Sequence, residues 1–248
     1  MPTGIVHARA ARLPLQHRLR DRVRMNYSFD WSVIWEYREL ITRGFINTVL
    51  LSLLGLIFAA LLGILMGTLA SVSSRRLRWI ATIYVETARN IPLLIHMYFW
   101  YIALAYLRLP AFACAVLGLS IYSGAYVTEV VRSGIAAVPR GQYAAALATG
   151  LPPFAAMRHV VYPQALKIVT PSLAGLASQL IKDSSLASVI AVAELTYEAG
   201  AIEGLTFRTF EAYIFVSLLY LALVTIVSQV LMLLTRSRKS ETISVSEG

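Results

Sequence analysis

The residues of this chain that could do chemistry are few, and most lie where charge is expensive. Glu86 and Arg89, three apart, enter one long apolar stretch, and Glu129 and Arg132 repeat that spacing near the end of another. Lys182 and Asp183 adjoin in a third, among Ser178, Ser184, Ser185 and Ser188. His96 stands on an aromatic run, Tyr98, Phe99, Trp100 and Tyr101. A charge at the bilayer centre costs at least about 2.5–3.5 kcal/mol on insertion scales, so each group should face protein or water. Helix residues three apart share a face. Glu86–Arg89 and Glu129–Arg132 therefore read first as structural ion pairs and second as contacts to a solute. Neighbours on a helix point about 100° apart, so Lys182 and Asp183 cannot both face lipid. For them, lining of a polar path and structural pairing stand equally open. His96 reads first as a packed histidine and second as a ligand.

No catalytic constellation accompanies these groups. There is no GxxxxGK[ST] phosphate loop and no HExxH, and the four His (7, 17, 96, 159) are scattered. The single Cys114 excludes a disulfide framework and any cysteine-based zinc or iron–sulfur site. An intramembrane enzyme would need paired catalytic groups, and a secondary carrier would usually show more spans and an internal inverted repeat.

The elements that must position these residues are membrane helices. Of 248 residues, 58% are hydrophobic and 14% charged, and the mean hydropathy is +0.67. A soluble domain is about 45–50% apolar and about 25% charged. The composition predicts an all-α integral membrane protein. With about 20 apolar residues needed per crossing, five spans are expected, at about 44–70, 84–107, 111–131, 168–193 and 212–235, in one transmembrane domain over 44–235. Positive charge orients them. Arg75, Arg76 and Arg78, then Arg132, Arg140, Arg158 and Lys167, then Arg236, Arg238 and Lys239 would all lie on the cytoplasmic side. The opposite loops hold Arg108, and Arg208 against Glu194, Glu198, Glu203 and Glu211. The N-terminus is then outside and the 236–248 tail cytoplasmic. The formal charge of +9 belongs to this topology, not to nucleic-acid binding.

Residues 1–24 contradict that orientation, with six Arg against Asp21. No apolar signal core follows them. The expectation is that Met25 is the true start, 1–24 being a basic disordered extension from a misplaced start codon, with a genuine disordered basic arm as the alternative and 25–43 the N-terminal flank of the first span.

The 132–167 segment holds no acidic residue and is too long for an ordinary loop. Residues 141–149 favour a helix that Gly150 would close, and after Leu151-Pro152-Pro153 a second short helix is expected from Phe154 to Val161, stopped by Pro163. Such a pair forms a knob fit for a partner's cleft, or an amphipathic pair on the lipid surface.

These residues also carry a resemblance. Gly141-Gln142-Tyr143-Ala144-Ala145-Ala146-Leu147-Ala148-Thr149-Gly150 with Val161-Tyr162-Pro163-Gln164-Ala165 resembles the cytoplasmic signature of ABC importer permeases. Arg89-Asn90-Ile91-Pro92, Gly124-Ala125-Tyr126-Val127-Thr128-Glu129, Val138-Pro139-Arg140-Gly141 and Leu180-Ile181-Lys182-Asp183-Ser184-Ser185 are similar to the polar amino-acid subfamily. The chain departs from the pattern at Ala144, where the family usually has Glu, and at His96, where Gln is common.

The resemblance implies a non-enzymatic transport subunit of the bacterial inner membrane that binds no cofactor, with ATP on a separate chain. Its partners would be an ABC ATPase dimer, an extracytoplasmic amino-acid-binding protein, and a second permease copy or paralogue. It assigns 141–161 to coupling helices, with Gly141, Gln142, Ala145, Ala146, Gly150 and Pro163 as coupling residues. An amino acid needs a cation for its carboxylate and an anion or carbonyls for its ammonium. Arg89, His96, Glu129, Lys182, Asp183 and Ser184 are the candidate pathway residues. The resemblance leans to glutamate/aspartate or glutamine, with the basic amino acids arginine and histidine as the alternative.

Overall fold

The computed structural model describes residues 27–72 and 74–244, the side chains of 234–244 excepted. The basic extension expected at 1–24 lies outside them. In chain order the helices are α1 (Ser32–Glu36), α2 (Arg38–Ser71), α3 (Arg75–Asn90), α4 (Leu93–Ala103) and α5 (Ala111–Ala137). They continue as α6 (Arg140–Ala148), α7 (Pro153–Ala156), α8 (Tyr162–Asp183), α9 (Leu195–Thr206) and α10 (Thr209–Ser244). A π-turn, Met157–Val161, joins α7 to α8, and a 3₁₀ stretch, Ser184–Ile190, follows α8.

Three helices among the described residues are each long and apolar enough to cross a membrane: α2, α5 and the Thr209–Leu233 part of α10. A fourth crossing is available if Pro153–Ile190 and Leu195–Thr206, bent by 48°, act as one broken span. The expected second span, 84–107, is divided. Pro92 has no N–H to donate and forces Ile91 into extended backbone (φ −100°, ψ 127°). The helix ends at Asn90 and restarts at Leu93, and upstream it already begins at Arg75. The expected span 168–193 likewise starts earlier, at Tyr162, and tightens after Asp183. There the hydroxyls of Ser184, Ser185 and Ser188 donate to carbonyls three residues back, at 2.7–2.8 Å, which favours 3₁₀ over α geometry.

Packing follows from small residues. Gly44, Thr48, Ser52, Gly55, Ala59, Gly63 and Gly67 recur on one side of α2 and are buried. With no hydrophobic drive between helices inside lipid, close backbone approach is what holds them together. The lower part of this stripe receives α5: a Cβ on Gly67 would lie 2.7 Å from Val131 Cγ1, and one on Gly63 would overlap Val127. α5 is the central helix, 61% of its apolar stretch being buried against 6% for α10. Around it, Leu51, Met97, Cys114, Leu119, Leu180 and Ile190 form the main core.

A second core joins the start of α2 to α9 and α10 through Val33, Ile41, Leu195, Ile202, Ala212 and Val216. Three carboxylates are buried beside it, Glu194, Glu198 and Glu211, which the sequence had suggested were loop charges. Each has partners. Glu194 accepts from the Tyr220 hydroxyl and caps α9 at the Tyr197 N–H. Glu198 takes the Arg43 guanidinium at 2.6 Å. Glu211 receives the Tyr27 hydroxyl and the Asp30 N–H. Ala191, in left-handed backbone at φ 60°, turns the chain before α9; Asn47 and Thr48 then satisfy the Ala193 carbonyl and the Leu195 N–H.

Candidate functional site

The break at Pro92 sets up the site, because it leaves Arg89 on the last turn of α3 beside the middle of α5. The Arg89 guanidinium lies over the Tyr126 ring, 5.0 Å from its centroid. The Tyr126 hydroxyl hydrogen-bonds the Tyr122 hydroxyl at 3.2 Å. Tyr122 in turn meets His96 edge-on, with ring centroids 5.9 Å apart. Arg89 is within electrostatic reach of Glu129 and of Tyr122, and Asp183 of Tyr122. One turn along α5, Arg132 grips Glu129 with two bonds, of 3.1 and 2.8 Å. On α8 the Gln179 amide donates to Asp183 at 2.8 Å, and Lys182 is exposed beside it.

The last turn of α3, α5 and the end of α8 thus carry three cations and three anions: Arg89, Arg132 and Lys182 with Glu86, Glu129 and Asp183. All are exposed or half-buried, and those of α5 lie within a span. Hydrocarbon cannot border such a surface. Water or another polypeptide must.

Most of the residues expected at the site are brought together, but not all in the expected way. Arg89 lies on Tyr126, Glu129 stands one turn further along the same helix, and Asp183 ends α8, which packs against that helix. Glu86 and Arg89 do not pair: Glu86 accepts from the Asn90 amide at 3.1 Å, and the tyrosine face takes the guanidinium instead. Ser184 is fully buried and donates to the Ile181 carbonyl, which shapes the end of α8. His96 is also buried, its Nε2 at 3.1 Å from the Ala88 carbonyl. It bridges the α3–α4 break next to Arg89 and ties the two helices together. Tyr122, Tyr126 and Gln179 were not singled out from the sequence. The signal was present, since 122, 126 and 129 fall at intervals of four and three, one helix face.

The 140–161 segment forms a knob beyond the C-terminal end of α5. Val138, Val161 and Ala165, with Ile135, Tyr143 and Met157 against them, give it its own small core. Gly150 ends α6 at φ +86°, and Leu151 N–H returns to the Ala146 carbonyl at 3.3 Å. A glycine suits that left-handed backbone, and nothing lies within 4 Å of where a Cβ would stand. Gly141, Gln142, Ala145 and Gly150 are exposed, whereas Ala146 is buried, so the two alanines do not share one open surface. Pro163 does not stop the second short helix. It occupies the first turn of α8, where a missing N–H costs little. The preceding π-turn carries the chain into it, and the Gln164 amide supplies a donor to the Val160 carbonyl at 2.9 Å.

Residues 59–240 match the model of the family described as binding-protein-dependent transport system inner membrane component. The probable glutamine ABC transporter permease protein GlnM of Bacillus subtilis is 37% identical over 77% of this chain and 90% of its own length. The glutamine transport system permease protein GlnP of Escherichia coli is 34% identical, over 85% and 98%. The glutamate/aspartate import permease protein GltJ of Escherichia coli is 29% identical, over 86% and 96%. Among solved structures, an amino acid ABC transporter with histidines superposes at a TM-score of 0.77 with 34% identity, over 85% of this chain and 100% of that one.

Proposed function

Because the chain belongs to the family of binding-protein-dependent transport system inner membrane components, we propose that its polar face lines the pathway of an ATP-driven importer for polar amino acids. Members of this family are transport subunits of the inner membrane, not enzymes, and an ATPase partner goes with that membership. In this reading ATP binds the partner alone, and no cofactor binds here. The observation that carries it is Arg89 over Tyr126 beside the Glu129–Arg132 pair: charge set against and within the α5 span, on a surface that lipid cannot cover.

A second copy or a paralogue would face this surface and enclose the pathway. An extracytoplasmic binding protein would deliver the amino acid. The N-terminus would lie outside, and the 140–161 knob inside, seated on the ATPase through α6 and Gly150. ATP-driven closure of the ATPase pair would push the knob and, through the π-turn, rock α8 and its Lys182–Asp183 end.

The charge balance supports a substrate class. Arg89 suits a carboxylate, and Asp183 or Glu129 an ammonium. With three cations against three anions, the face has no surplus for an acidic side chain and none for a basic one. Asn90, Gln179 and the two tyrosine hydroxyls offer both donors and acceptors, which a side-chain amide uses fully. Glutamine therefore stands first and glutamate/aspartate second, in line with the greater identity to glutamine permeases. Histidine remains a second reading through the solved transporter with histidines.

Uptake into proteoliposomes holding the permease and its ATPase, with binding protein outside, tests this. ATP inside should drive glutamine uptake, and a proton gradient alone should not. Uptake driven by the gradient without ATP overturns the mechanism. Competition by arginine or histidine but not by glutamine or glutamate overturns the substrate class.

A further inference from the structure

The aromatic residues before α2 have no part in the polar face. Tyr27 packs edge-on against Phe29 and Phe210, with ring centroids 5.2 and 5.1 Å apart, and Phe29 stacks on Trp31 at 5.9 Å. These rings are fixed. The Tyr27 hydroxyl and Asp30 N–H both reach the buried Glu211, and Arg208 donates to the Ser28 carbonyl at 2.6 Å. Residues 27–30 are thereby strapped across the head of α10.

The rings are nevertheless exposed. Trp35 is 74% accessible and Phe207 84%. Phe207 is moreover held in left-handed backbone, φ 58°, which is unfavourable for a bulky side chain. A fixed cluster that presents apolar rings outward, next to a bulky ring at the left-handed end of α9, calls for something to cover it. Two observations identify the cover. The rings sit where two spans begin, over the core that joins Val33 and Ile41 to Ala212 and Val216. They also continue into the exposed apolar sides of those spans, Ile46 and Leu50 on α2, Ile214 and Leu218 on α10. Cations are interleaved, with Arg38 over Trp35 at 5.5 Å and Arg208 over Tyr27 at 5.9 Å. Tryptophan and tyrosine at the ends of apolar spans occupy the headgroup layer, and guanidinium groups among them suit phosphate.

We propose that Tyr27, Phe29, Trp31, Trp35, Phe207 and Phe210 form an interfacial anchor embedded in the phospholipid headgroup layer, fixing the depth of α2 and α10.

The four tryptophans, 31, 35, 79 and 100, make the test direct. In the full chain with Trp79→Phe and Trp100→Phe, excitation on the red edge, beyond tyrosine absorption, reports on Trp31 and Trp35 of the collar alone. Trp100 Nε1 is buried without a hydrogen-bond partner, so its replacement forfeits no hydrogen bond. In nanodiscs, lipids brominated near the carbonyl end of the acyl chain should remove most of the emission, those brominated near the methyl end much less, and aqueous iodide little. Strong iodide quenching with no effect of brominated lipid overturns the proposal. So does iodide quenching relieved only by adding the binding protein, which would make the collar that protein's docking face. Should the double variant fail to insert, a nitroxide on Trp35→Cys gives the same answer. Accessibility to oxygen above that to a water-soluble nickel reagent supports the anchor, and the reverse overturns it.

Discussion

Arg43 and Glu198, 155 residues apart, meet in an ion pair of 2.6 Å in which the Glu198 side chain is 1% accessible and the Arg43 side chain 57%. The pair is lopsided. Glu198 has been taken out of water, and Arg43 has not, so the two partners should respond unequally to replacement.

Arg43→Met should be the more damaging change, because it strands a buried carboxylate whose second oxygen already lacks a partner. A loss of about 1–3 kcal/mol is expected for the uncompensated group. Glu198→Gln, which leaves Arg43 free to hydrate, should cost less. Thermal unfolding midpoints of the purified variants in one detergent give the order, and equal losses would mean that the pair contributes only contact.

Replacing Gly67 with valine should unsettle the α2–α5 seam. The new side chain begins 2.7 Å from Val131 Cγ1, and overpacking of this kind costs about 1–3 kcal/mol. Insertion into the membrane should persist while the unfolding midpoint falls. Gly67→Val combined with Val131→Ala should recover part of the loss.

At the polar face, Arg89→Ala should depress uptake far more than Tyr126→Phe. The phenylalanine keeps the ring beneath the cation, an interaction of about 0.5–2 kcal/mol, and loses only the hydroxyl contact to Tyr122. Initial uptake rates at matched expression distinguish the two. Equal rates in Arg89→Ala and the parent would remove Arg89 from the pathway.

Gly150→Leu should leave the chain inserted but uncoupled. An L-residue at φ +86° carries a penalty of about 1–2 kcal/mol, and a leucine would crowd any partner seated on α6. Substrate-stimulated ATP hydrolysis should fall together with uptake. Normal uptake at normal expression would detach the knob from coupling.

Asp30 gives the strap a pH dependence. The Ser32 hydroxyl and N–H, with Arg208 nearby, hold its carboxyl below the usual carboxylate range. A depressed folded-state value stabilises at pH above the unfolded value, about 3.9, and the benefit disappears as pH falls through the folded one. Acidification should loosen residues 27–31 and change Trp31 emission, and Asp30→Asn should remove that component of the change.

Much of this was legible in the sequence, for identifiable reasons. Helical class and apolar stretches follow from composition, and the isolated charges at 89, 129 and 182–183 stand out because lipid makes them costly. Helix bounds were less legible. Hydropathy averages over Ile91-Pro92, and it gives no sign that three serine hydroxyls tighten the chain after Asp183. Ser184 looked like a lining residue because a hydroxyl in an apolar run resembles a ligand, when its partner is a carbonyl of its own helix. Glu194, Glu198 and Glu211 resembled loop charges because their partners, Tyr220, Arg43 and Tyr27, are supplied by distant parts of the chain.

The π-turn at Met157–Val161 sets the helical phase between the knob and the polar face. A π-turn amounts to one residue inserted into an α-helix, and one residue corresponds to about 100° of rotation. Deleting a single residue there would let α7 run into α8 without interruption. It would also turn Asp183 by that angle relative to α6. The knob and the end of α8 are therefore fixed relative to one another in angle as well as in distance.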